Sequence, residues 1–111
     1  MTKFTATFSN GQTITRNSDH AYAFAWAVVR IADGVVEATG FSADRANAAK
    51  SAQSKMWVGV SDRDAKNPAL RRYWAKMAKD EGLASVDAWI AVRRAEAAEH
   101  NAARRIEVVA L

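Results

Sequence analysis

Residues 21–41 read AYAFAWAVVRIADGVVEATGF, with Tyr22, Phe24, Trp26 and Val28 at every second position, alanine separating the three aromatics, and a break at Asp33-Gly34. Nothing else in the chain restricts the fold as strongly. A period of two is the signature of a strand, whose side chains point to alternate faces, and it overrides the helix preference of the alanines. Asp-Gly suits the type I′ turn of a two-residue hairpin loop. That turn predicts a hairpin over about 21–41, pairing Ile31 with Val36, Arg30 with Glu37 and Trp26 with Phe41. One face would carry Tyr22, Phe24, Trp26, Val28 and Phe41. The other would carry Ala23, Ala25, Ala27, Val29, Ala38 and Gly40, small enough for a helix to lie close.

A second hairpin is predicted over about 3–16, where KFTATFSNGQTITR alternates around Asn10-Gly11. A three-residue loop, Ser9 to Gly11 with Gly11 left-handed, sets Ile14 opposite Ala6 and gathers Phe4, Phe8 and Ile14 on one side. Helices follow over about 43–55, 68–80 and 86–104. Ser42 is the expected N-cap of the first, with Ala46, Ala49, Ala52 and Met56 as its apolar stripe. Asn67-Pro68 opens the second, with Leu70, Trp74 and Met77 inward, and Gly82 ends it. Ser85 caps the third, where Val86, Trp89, Ile90 and Arg93 share a side. Residues 56–60 form a short strand or connector, and RIEVVAL supplies a closing strand over about 105–110. The fold class is α+β in one domain, 1–111, with two antiparallel hairpins, three helices and a C-terminal strand.

Cysteine is absent and histidine occurs only at positions 20 and 100, so thiolate metal sites and disulfides are excluded. Glu96 and His100 stand at i, i+4, but alanine at 97 removes the Glu-x-x-His spacing of di-metal bundles, and the pair reads as a solvated one. SDRDAKNP (61–68) lacks the glycine and the last acidic ligand of a calcium loop. No nucleophile elbow, phosphate loop or zinc-protease motif occurs. The chain is therefore read as non-enzymatic, with no cofactor and no metal. No apolar run is long enough for a signal peptide or a membrane span, which predicts a cytoplasmic protein without a membrane partner.

The net charge is +4 and spread thinly, so it permits a polyanion without specifying one. The row Tyr22, Phe24, Trp26 and Phe41 would stack single-stranded bases if it were open and rimmed with cations. Only Arg30 lies beside it, so cover by the second and third helices, through Trp74, Met77 and Trp89, is the expected state. Three arginine pairs stand at 71–72, 93–94 and 104–105. Neighbours on a helix diverge by about 100°, so one member of each pair is expected along the core edge and the other outside. The residues singled out for binding are Trp57, Arg71, Arg72, Lys76, Lys79, Arg93 and Arg94.

Two resemblances bear on function. Residues 56–94, a short strand, a helix, a turn at Gly82 and then Ser85-Val86-Asp87-Ala88-Trp89-Ile90, are similar to the ribbon-helix-helix family. That likeness implies a dimeric double-stranded DNA-binding protein; against it, Trp57, Gly59 and Ser61 stand where base-reading side chains are expected. Phe8, Gly11, Arg16, Ser18, Gly40-Phe41 and Ile106 to Val109 follow an order that resembles small accessory proteins encoded by bacteriophages, anti-CRISPR proteins among them. This second resemblance implies a viral inhibitor that occludes a host protein or nucleoprotein complex in the host cytoplasm, and it assigns no functional residue. DNA binding by a homodimer is the alternative.

Overall fold

The computed structural model describes all residues, Met1–Leu111. In chain order the elements are β1 (Thr2–Thr7), β2 (Thr13–Ser18), β3 (Phe24–Arg30), β4 (Val36–Ser42), α1 (Arg45–Met56), α2 (Asp62–Ala65), α3 (Pro68–Asp80), α4 (Val86–Ala102) and β5 (Arg104–Ala110). The fold is α+β, with a two-stranded sheet β1-β2 and a three-stranded antiparallel sheet ordered β4-β3-β5. It has four helices, not three: Ser61 caps the extra turn α2 by accepting the Asp64 N–H. Trp57–Ser61 is a connector without strand pairing, and α4 stops at Ala102, two residues short of the expected end. No helix is long and apolar enough to cross a membrane. The chain divides into two compact units, one of residues 1–57 with 101–111 and the other of residues 58–100.

In the first unit, β1 and β2 pair in the predicted register, Ala6 opposite Ile14. The Phe8 N–H donates to Gln12 C=O at 2.9 Å and Gly11 takes φ +88°, which closes the three-residue loop. The second hairpin departs from its predicted register: Trp26 faces Gly40, Ala25 faces Phe41, and the ladder slips between Val28 and Val29 so that Glu37 is an extra residue on β4. The loop is also longer than two residues, with Arg30 N–H bonding Val35 C=O and Gly34 at φ +71°. Asp33, not Glu37, takes the Arg30 guanidinium, at 2.6 Å. That hydrogen bond, with one from Val35 N–H, holds the Asp33 carboxyl below its ordinary range. Glu37 instead reaches Arg104 on β5, 2.6 Å away.

The slip changes what covers each face. α1 lies on the aromatic face, where Trp26 and Val28 pack with Ala48, Ala52 and Met56. The alanine face receives the first hairpin, with Ala6 and Phe8 against Ala25, Ala27 and Val29, and Phe41 joins that side. The expectation had set a small helix face on a small sheet face. Close packing instead sets large against small on both sides, Trp26 on the α1 alanines and Phe8 on the β3 alanines. The buried stripe of α1 is accordingly Ala48, Ala52 and Met56 rather than Ala46 and Ala49. Its N-cap is Asp44, whose Oδ1 accepts the Asn47 N–H at 2.8 Å, because Ser42 is still paired to Phe24 in the ladder.

The aromatic row is thereby dismantled. Trp26 is buried, the Arg45 guanidinium covers Phe24 at 5.0 Å, and Tyr22 sits with Phe4 and Phe41 under Arg16. Trp74 and Trp89, expected on this row, stack on each other inside the second unit.

Candidate functional site

The second unit is a helical pair joined by a tight turn. Asn67 caps α3 by accepting the N–H groups of Ala69 and Leu70, and Ser85 caps α4 by accepting that of Ala88. Gly82, at φ +72°, ends α3, with Leu83 N–H bonding back to Ala78 C=O at 2.8 Å. This six-to-one bond is the Schellman geometry, in which the glycine escapes a Cβ clash. Behind the turn, Ala78, Trp89 and Ile90 are buried, and the Trp74 and Trp89 rings stack with centroids 5.2 Å apart.

This scaffold sorts the predicted binding cations into two groups. Arg71 donates to Ala65 C=O and to Asp87, both at 2.8 Å. Arg94 donates to Val60 C=O at 3.3 Å and to Asp62 at 3.0 Å. Arg93 lies over the Trp89 ring at 5.1 Å and bridges Glu81 and Glu96. Its Nε is buried without an acceptor. These three arginines tie the connector and the helices together.

Arg72, Lys76 and Lys79 are the other group. All three are exposed, and none takes part in an ion pair of the chain. Spaced at i, i+4 and i+7, they form one row along α3, about 10 Å from end to end at 1.5 Å per residue. Tyr73 and Met77, 61% and 36% exposed, flank that row. Met77, expected inward with Leu70 and Trp74, is exposed and Ala78 takes the buried position; sequence reasoning passed over Tyr73, one position before Trp74. Trp57, 48% exposed, belongs to the first unit, where its N–H closes the C-terminus of α1.

Glu96 and His100, read as a solvated pair, line a cleft with Arg93, Ala97 and the Val58–Val60 connector. The chain has no group of three or more His, Asp or Glu side chains placed to hold a metal ion. No family model, curated protein or solved structure matches the chain.

Proposed function

We propose that the protein is a non-enzymatic binding protein that occludes a partner macromolecule through the exposed face of α3. The observation that supports this is the division of the cations: Arg71, Arg93 and Arg94 are engaged by acidic side chains of their own unit, whereas Arg72, Lys76 and Lys79 stand unpaired beside Tyr73 and Met77. Arginine, tyrosine and methionine are the residue types enriched at protein interfaces, and a rim of cations steers association with an acidic surface. The resemblance to small phage accessory proteins makes that surface one of a host protein or nucleoprotein complex, in the anti-CRISPR manner.

The test compares the wild type with the triple variant Arg72→Glu/Lys76→Glu/Lys79→Glu, after circular dichroism shows that both are folded. Affinity capture from a bacterial lysate should retain proteins on the wild type that the variant loses; identical captured sets would remove this face. Mixed-sequence duplex DNA, titrated at about 50 and 200 mM salt, supplies the other arm. Three phosphate contacts would give a log–log salt slope near −2.7 and a loss of about 40-fold over that range. Tight binding with that slope, from a dimer, would put the DNA-binding reading of residues 56–94 in place of the first.

A further inference from the structure

The cleft on α4 differs in chemistry from the α3 face, with a carboxylate and apolar walls in place of a row of cations. Its volume is about 460 Å³, and it is lined by Val58, Gly59 and Val60 on the connector and by Arg93, Glu96, Ala97 and His100 on the helix. That volume lies within the ordinary range of small-ligand sites. Positions 93, 96, 97 and 100 recur at i, i+3, i+4 and i+7, a single row on the helix surface. Space opens because Ala97 is the smallest side chain of that row and because Gly59, at φ +144°, has none.

Arg93 is the one cation of the lining, and it divides between Glu96, the one carboxylate of the lining, and Glu81 outside it, so Glu96 has no cation to itself. Glu96 keeps acceptor capacity, because an ionised carboxylate has about four acceptor positions and Arg93 occupies one of them. The row ends at His100 in the last turn of α4, at the negative end of the helix dipole. Val58, Val60 and Ala97 supply apolar walls to the same space.

We propose that this cleft binds an alkylammonium or alkylguanidinium group, with the cationic head on Glu96 and a short apolar stem against Val58, Val60 and Ala97. The chemistry is that of a free amine or of a lysine or arginine side chain. It is independent of what α3 binds.

The test is a titration of the ¹⁵N-labelled full-length chain, followed by amide shifts at low ionic strength, with n-butylammonium, with butyrate and with the peptide acetyl-Gly-Lys-Gly-amide. Saturable shifts confined to Val58, Gly59, Val60, Ala97 and His100 are expected with n-butylammonium and not with butyrate. Glu96→Gln, which keeps the shape and removes the charge, should weaken that binding about tenfold without altering the spectrum elsewhere. If the peptide moves the same amides, the occupant is a basic side chain of a partner; if the free amine alone does so, it is a small cation. Equal shifts with butyrate, no saturable shift with either cation, or full affinity in Glu96→Gln would overturn the proposal.

Discussion

Replacing Gly40 by alanine sets two known effects against each other, and the structure says which is larger. Glycine inside a strand costs entropy on folding, so alanine should gain about 0.5–1 kcal/mol where the backbone accepts it. Gly40 is not among the glycines at positive φ, so its backbone raises no objection. The objection is Trp26, whose Cε2 and Cζ2 lie 2.5 Å from where a Cβ at position 40 would stand. That is about 1 Å inside ordinary carbon contact. The indole has nowhere to go, because Trp26 is only 6% exposed and shares its cluster with Ala48 and Ala52, which have no exposed surface. Overpacking of this kind costs about 1–3 kcal/mol, which exceeds the entropic gain. Gly40→Ala is therefore expected to destabilise by a net ~1–2 kcal/mol, a fall in Tm of about 4–8 °C in thermal unfolding followed by circular dichroism. In a Trp26→Phe background the fused ring is gone, and the same substitution should be neutral or stabilising, a coupling of at least ~1 kcal/mol. A rise in Tm for Gly40→Ala in the wild-type background would refute the packing argument.

The two classes of arginine should separate in stability as they do in geometry. Arg93→Ala loses two carboxylates and the Trp89 contact and should cost about 1–2 kcal/mol in urea unfolding, whereas Arg72→Ala should stay within about 0.5 kcal/mol; equal effects would contradict the division. Glu107 makes a pH prediction. Burial pushes its carboxyl up, but the Ser9 hydroxyl, the Ser9 N–H and Arg105 outweigh burial and hold it below the ordinary glutamate range. A lowered folded value means that the stabilisation is present above the ordinary range and is lost as pH falls through the lowered one. Glu107→Gln should thus be less stable than the wild type at pH 7, and the gap should narrow as pH falls below the ordinary glutamate range; a gap that does not narrow would refute the stabilising role of the Ser9 and Arg105 bonds.

The sequence made legible whatever rested on local chemistry. Asn10-Gly11, Asn67-Pro68, Gly82 and Ser85 each act within a few residues, and each sits where its turn or cap chemistry placed it. The second hairpin misled because Asp33-Gly34 suits a two-residue loop, while the choice of register is made by contacts beyond the turn. With Glu37 bulged, Trp26 meets the one strand position without a side chain, and Glu37 is released to meet Arg104, 67 residues away. Neither partner is visible in a window around the turn. The cover of the two sheet faces was illegible for the same reason, since alanines at 25 and 27 specify that something large comes close but not which element brings it.

The candidate site follows a stricter version of this logic. Each arginine pair looks alike in sequence, and helix geometry predicts one inward and one outward member. In exposure that holds for all three pairs, with Arg71, Arg93 and Arg104 half-buried and Arg72, Arg94 and Arg105 exposed. Exposure does not decide availability, because Arg94 and Arg105 are engaged by Asp62 and Glu107 all the same. The difference lies in acidic partners 12 to 67 residues distant for Arg71, Arg93, Arg94 and Arg104. A cation is available to a partner only after the fold has taken what it needs, so a binding face on a chain of this kind is defined by subtraction. On α3 the subtraction leaves Arg72, Lys76 and Lys79 in one row beside an exposed tyrosine. That residue pattern, not the total charge of +4, is what the proposed function rests on.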